Sequence, residues 1–273
     1  MIRLFFRRST TALPAALLAV FAWVAVSADG RAADSPEEAG LKIAIEARDR
    51  DKGFGNFIAN LTMTLRNKRG QESRREVRLK VIEVEDDGDR SLFVFDRPRD
   101  VKGTAFLVHA HKDVPDEQWL YLPALKRVKR ISSSNQSGSF MGSEFSYEDL
   151  GSPEVEKYTY RLLRDEPCGA LQCAVLERIP TSADSGYTRQ LVWLDREELR
   201  IMQTQFFDRR DAHLKTMVAE GYEQYLDRFW RSRTVTMTNH LTGKSTVLTW
   251  SDYEFGTDLE LSDFTRTALK RVR

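Results

Sequence analysis

Residues 116–150 read DEQWLYLPALKRVKRISSSNQSGSFMGSEFSYEDL. Two short strands, 117–122 and 126–131, are expected on either side of a turn at Pro123-Ala124. Trp119 and Tyr121 stand two apart and so project from one strand face. Val128 is flanked by Arg127, Lys129 and Arg130, which describes a strand with one wet face and a basic rim. Residues 132–139 hold Ser, Asn, Gln and Gly with no apolar side chain, the composition of a flexible loop. Phe140, Met141 and Phe145 follow, separated by Gly142 and Ser143. An apolar tip on such a tether buries itself, either as a lid that opens or as a plug closing one end of a core. Composition serves both readings equally.

Working outward, the pattern has period two. Phe57, Ala59, Leu61, Met63 and Leu65 alternate with more polar neighbours, and Val77, Leu79 and Val81 return after a turn at Asn67-Lys68-Arg69-Gly70. A second turn at Asp86-Asp87-Gly88-Asp89 leads into residues 92–95, which include Phe93 and Phe95, and then into 104–111. Downstream, strand-like segments recur to 244–255, with a hairpin turn at 239–243. Long strands joined by tight polar turns make an antiparallel meander, and such a sheet avoids a long exposed edge by curling. The expected fold is mainly β (α+β): a strongly curved antiparallel half-barrel of about eleven strands with short helices over its concave face. One helix is predicted at 35–52, with Ser35 as cap, Pro36 in the first turn, Glu37 and Glu38 at the positive end of its dipole, and a stripe of Leu41, Ile43, Ala44 and Ala47. Ser262 or Asp263 would cap a last helical turn, with Phe264 and Leu269 as apolar contacts.

The stretch W-x-Y-L-P-A-L-K-R-V-K-R-I, its Ser/Gly-rich gap and S-F-M-G-S-E-F-S-Y-E-D-L, together residues 119–150, resemble the outer-membrane lipoprotein-sorting proteins, relatives of LolA and LolB. The resemblance implies a half-barrel whose concave side holds acyl chains beneath a lid. It also implies non-covalent carriage of lipids or lipoproteins between inner and outer membranes, with an inner-membrane transporter and an outer-membrane acceptor as partners. Trp119, Tyr121, Phe140, Met141 and Phe145 are the ligand-binding candidates, with Phe93 and Phe95 behind them. Large soft residues on strands, such as Met202, Met217 and Met237, suit a cavity that adapts to flexible chains. A solid core is the commoner use of such residues, and the resemblance favours the cavity. The alternative function is a non-carrier accessory or regulatory protein of an envelope transporter or stress-signalling system.

At the start of the chain, Arg3, Arg7 and Arg8 precede an apolar run at 12–28 that ends in small residues. This pattern reads as a secretory signal peptide, residues 1–28, with cleavage as late as 33. Residues 34–273 are then a single exported periplasmic domain, expected to be soluble and monomeric. No Cys stands near the cleavage region, so the protein is not itself expected to be a lipoprotein. The whole chain holds 42 Lys plus Arg against 41 Asp plus Glu. Losing three arginines and no acids leaves a charge of about −2, which argues against nucleic acid as a partner.

No G-x-S-x-G elbow, P-loop, G-x-G-x-x-G or H-E-x-x-H motif occurs, and no enzyme or cofactor is expected. His109 and His111 would share one strand face, as in some zinc sites, but nothing points to a third ligand, and two plain strand histidines are the better reading. Glu144, Glu148 and Asp149 read as acids that solvate the loop or cap its end. Cys168 and Cys173 are the only two cysteines. In an exported chain an even count favours a disulfide between them, stapling a hairpin at its turn.

Overall fold

The computed structural model describes residues 34–152 and 154–271. The signal-peptide reading, residues 1–28 or 1–33, lies outside them. One sheet carries every named strand: β1 (Asn56–Arg66), β2 (Glu72–Ile82), β3 (Arg90–Arg97), β4 (Ala105–His109), β5 (Glu117–Leu122), β6 (Arg127–Ile131), β7 (Tyr158–Cys168), β8 (Leu171–Pro180), β9 (Tyr187–Asp195), β10 (Ile201–Asp208), β11 (His213–Tyr225), β12 (Phe229–Asn239) and β13 (Ser245–Phe255). The spatial order is β6-β5-β4-β3-β2-β1-β13-β12-β11-β10-β9-β8-β7. Every pairing is antiparallel, and the only neighbours not consecutive in sequence are β1 and β13, paired from Phe57↔Phe255 to Arg66↔Ser245. Thirteen strands form rather than about eleven, and even the five-residue β4 and β6 are paired along their whole length.

The two edges of this open sheet, β6 and β7, are consecutive in the chain and joined by residues 132–157. That connection reveals the curvature. Ser146 bonds Tyr187 of β9, while the carbonyl of the next residue, Tyr147, accepts from Gln118 Nε2 of β5. Flat, β5 and β9 would lie nine strand spacings apart, about 43 Å at roughly 4.8 Å each. Two adjacent residues cannot bridge that distance, so the sheet curls and brings its two halves together.

Alternation divides the side chains between the faces. The inner face gathers Leu61, Met63, Leu79, Phe93, Phe95, Phe106 and Leu120 from one half, and Phe206, Val235, Met237 and Leu248 from the other. The outer face over β3–β5 carries Leu92, Val94, Leu107 and Trp119, covered by Phe264 and Leu269 from two 3-10 turns, Leu261–Phe264 and Ala268–Lys270. Glu260 caps the first of these turns, with Asp263 as its reciprocal partner, in place of the expected Ser262 or Asp263 cap.

The helix α1 (Pro36–Asp51) starts at a reciprocal capping box. Ser35 Oγ accepts from the Glu38 amide at 3.2 Å, and Glu38 Oε2 accepts from the Ser35 amide at 2.9 Å. It lies on β7–β9, with Ile43 packed among Tyr160, Leu176, Val192 and Leu194. Leu41, expected in the buried stripe, is 43% exposed, and Gly40 takes the contact instead. A Cβ on Gly40 would stand 2.8 Å from the backbone of Arg161 and Leu162, so helix and strand touch main chain to main chain there. No helix among the described residues is long and apolar enough to cross a membrane.

Cys168 and Cys173 are bonded across the β7–β8 turn, their Cα atoms 5.8 Å apart. Cys173 is fully buried against Val175 and Trp193.

Two outcomes test this packing. Gly40→Val should lower the unfolding free energy by roughly 1–3 kcal/mol in denaturant melts, because α1 must lift from β7; an unchanged midpoint would contradict the close approach. Alkylation without reductant should label neither cysteine. Replacing both by Ser should cost about 2 kcal/mol, as expected for a short closed loop.

Candidate functional site

The connection from β6 to β7 is not a free tether. Residues 132–150 fold into short 3-10 turns, and Phe140 is fully buried among Phe93, Phe95, Phe106 and Tyr147, with ring centroids 5.0–6.1 Å away. Phe145 is also buried, and Met141 packs partly against the same cluster. Polar bonds tie the segment to strands on both sides. Lys215 Nζ, on β11, donates to Asp149 Oδ2 at 2.6 Å and to the Glu144 carbonyl at 3.0 Å. Tyr187 Oη donates to Asp149 Oδ1 at 2.7 Å, Asn239 to Glu144 at 2.8 Å, and Arg75 to the Met141 carbonyl. Glu148 accepts from the Gly186 amide and from Ser185 Oγ, each at 3.0 Å. The three loop acids therefore do more than solvate or cap: each anchors the segment. Asp149 and Lys215 have side chains only 6% and 4% exposed, so losing either partner would strand a buried charge.

Open space lies elsewhere, between α1 and the inner face of β7–β12. A cavity of about 1410 Å³ has its apolar floor on Tyr160, Leu176, Val192, Leu194 and Ile201, with Phe54 at one side and Ala44 and Ala47 facing it from the helix. Here α1 is held by polar ties beyond its end. Glu83 accepts from the Gly53 amide at 2.7 Å, Arg50 donates to the Glu197 carbonyl at 2.6 Å, and Arg231 pairs with Asp51. Small helix residues and a helix held at its ends leave the gap between them unfilled.

The rim of this cavity is rich in acids from the β2–β3 turn, including Glu83, Asp87 and Asp89, with Glu154 beside them. Burial, with the Glu154 and Glu83 charges adding, pushes the Asp89 carboxyl up to about 7. Burial also raises Asp51 and Glu154. Arg178 and Arg200 stand on the opposite wall, and Arg200 lies 4.6 Å from the Trp230 ring. The lining is thus an apolar trough under a charged lip, suited to a molecule with a chain and a head.

None of the seven residues chosen from sequence lines this cavity. Phe93, Phe95, Phe140, Met141 and Phe145 do meet, in the filled part of the inner face. Trp119 and Tyr121 share a face as their spacing predicts, but it is the outer one, against Phe264. His109 Nε2 lies 2.6 Å from the Phe264 carbonyl and His111 Nδ1 lies 2.7 Å from Asp87, so the two imidazoles serve separate local contacts. No group of three or more potential metal ligands occurs among the described residues. The cavity residues missed by sequence were marked only by the modest apolar stripe of α1, in which alanines replace the larger side chains a tightly packed helix would carry.

A family model described only as "Uncharacterized protein" matches residues 87–271. No curated protein matches the chain. Among solved structures, a candidate outer membrane lipoprotein-sorting protein domain from Vibrio parahaemolyticus is 55% identical, with a TM-score of 0.85 over 86% of this chain and 100% of that one. A DUF1329 family protein from Desulfovibrio piger is 29% identical, with a TM-score of 0.81 over the same shares. A LolA superfamily protein from Nitrosomonas europaea, 20% identical with a TM-score of 0.68 over 86% of this chain and 100% of that one, shares the open, curved half-barrel fold.

The anchoring acids have a pH signature. Burial, with the Asp149 charge second, pushes the Glu148 carboxyl from its ordinary 4.5 up to about 7. A carboxyl raised by folding stabilises the fold while protonated; that contribution is whole below 4.5 and is lost as pH rises through about 7. The unfolding free energy of the wild type should therefore fall across this window more steeply than that of Glu148→Gln. Parallel curves in pH-dependent denaturant melts would place the carboxyl in solvent.

Proposed function

The chain belongs to the outer membrane lipoprotein-sorting protein family, and on that premise we propose that it is a periplasmic carrier. Its cargo would be the acyl chains of lipids or lipoproteins, held under α1 and moved between inner and outer membranes. In this reading residues 1–28, or as far as 33, are the export signal, and 34–273 form the single carrier domain. An inner-membrane transporter would load it and an outer-membrane acceptor would unload it.

The observation that carries the reading is the cavity of about 1410 Å³. It is larger than the roughly 300–1,000 Å³ of ordinary small-molecule sites. Carriage requires no bond to be made or broken. Each methylene moved from water into such a trough contributes about 0.8 kcal/mol, so one acyl chain supplies the driving force for extraction. Release needs only that α1 shift, and its far end is held by a few polar ties. Phe140, Met141 and Phe145 would stand in this scheme beside the trough, in the filled part of the inner face. If the segment could swing out, they would instead be a second lid that lengthens it. In this scheme Trp119 and Tyr121, on the outer face, would stand outside the acyl site.

The filled half of the inner face favours the second reading, an accessory or regulatory protein of an envelope transporter that carries nothing. One titration separates the two. Ala47→Trp, which fills the trough, should weaken binding of a fluorescent fatty-acyl probe at least tenfold, about 1.4 kcal/mol, while Met141→Asp leaves binding unchanged. The reverse pattern would move the acyl site beneath the 140–145 segment. A wild-type protein that binds no probe would favour the accessory role.

A further inference from the structure

The antiparallel order sends alternate turns to opposite ends of the strands. The turns β8–β9 and β10–β11, which carry Arg209 and Arg210 with Asp184 and Asp211, are sent to the same end as β1–β2, β3–β4, β5–β6 and β12–β13, and the last four form a group of their own. They neighbour one another: a Cβ on Gly103 would stand 3.7 Å from Pro123, and one on Gly243 would stand 3.8 Å from Lys68. Together they carry Lys68, Arg69, Arg99, Lys102, Lys126 and Lys244, all exposed. Among the described residues none of the six makes an ion pair. Their only carboxylate is Asp100, which faces Arg75. At the other end the single turn 83–89 carries Glu83, Glu85, Asp86, Asp87 and Asp89, and it forms part of the cavity's lip. This group of four turns is basic, and the 83–89 turn at the opposite end is acidic, with Lys52, Lys112 and Arg228 beside it on the cavity's lining.

We propose that the basic rim is a docking surface for the anionic headgroups of a phospholipid membrane. Turn tips from neighbouring strands of one sheet present their cations in a row, the arrangement a broad charged surface can meet all at once, and each Lys or Arg near such a surface adds attraction. Leu125 and Leu241, 68% and 62% exposed, sit in two of the same turns, where a membrane interface accepts them and a nucleic acid would not. Leu226 is similarly exposed at the acidic rim, so charge is what distinguishes the ends. Docked this way, the protein rests on the bilayer with its cavity mouth turned away, free to meet a partner. The inference rests on charge and topology and is independent of what the cavity holds.

The test is co-sedimentation of the protein with vesicles of phosphatidylcholine alone and of phosphatidylcholine with phosphatidylglycerol. Binding should require the anionic lipid and fall steeply with salt, as the screening length drops from about 10 Å at 0.1 M to about 3 Å at 1 M. The quadruple variant Lys68→Glu, Arg69→Glu, Lys102→Glu, Lys126→Glu should lose at least tenfold in vesicle binding while unfolding at the wild-type midpoint. Glu85→Lys with Asp86→Lys, at the other rim, should not weaken it. Equal binding to both vesicle types, no binding to either, or a quadruple variant that still binds would each overturn the proposal. Capture by heparin or an oligonucleotide without vesicle binding would also overturn it, in favour of a soluble polyanion. Failure of the acyl-probe titration with vesicle binding intact would sink the carrier reading alone.

Discussion

The two free edges of the sheet belong to successive strands, so one connection must cross from β6 to β7. Much of the structure follows from the route it takes. The connection passes through the inside of the curl, where backbone and side chains both need partners. Phe140 supplies apolar contact with three strand phenylalanines, and Lys215, Tyr187, Asn239 and Ser185 supply the polar contacts. The segment acts as a strut between the two halves of the sheet and fixes how far they close. Burying one such ring contributes about 1.5–3 kcal/mol, and the buried Lys215 and Asp149 must stay paired, since neither charge is tolerable without the other.

With half the inner face occupied by the strut, only the part under α1 is left for anything else. That helix meets the sheet unevenly. Gly40 brings its first half to main-chain contact with β7, whereas the second half hangs over the sheet on Ala44 and Ala47 and is tied at its end to Glu83, Glu197 and Arg231. A larger residue at the alanines would take up part of this space. The cavity therefore depends on which helix positions are small, and hydrogen bonds at the helix end fix the helix over it.

The electrostatics follow the same geometry. Because the strands alternate in direction, the composition of each turn decides the charge of a whole rim, and acids gather where the trough opens. Burial there, with neighbouring charges adding, makes some of them reluctant to ionise, Asp89 most clearly. Neighbouring carboxylates at a low-dielectric lip repel one another, and water reaches them only from one side.

Much was legible in the sequence by itself. Period-two alternation and tight polar turns determined an antiparallel meander, and Ser35 with Glu38 determined where its helix begins. The spacing of Trp119 and Tyr121 determined that they share a face, and the cysteine count in an export-like chain determined the disulfide. Alternation says which residues stand together and is silent on which side is inside. Trp119 and Tyr121 went to the outer face because their parity is opposite to that of Leu120, which points in with Phe93, Phe95 and Phe106. Likewise, a polar run before an apolar tip has the composition of a mobile lid. Only the strands folded around it supply the lysine, tyrosine and asparagine that turn it into a strut, and these lie 38–95 residues away in sequence. The cavity was the least legible feature, since a void leaves no residue of its own: it exists where α1 stands off the sheet, and that distance is set by contacts between segments that local pattern does not relate.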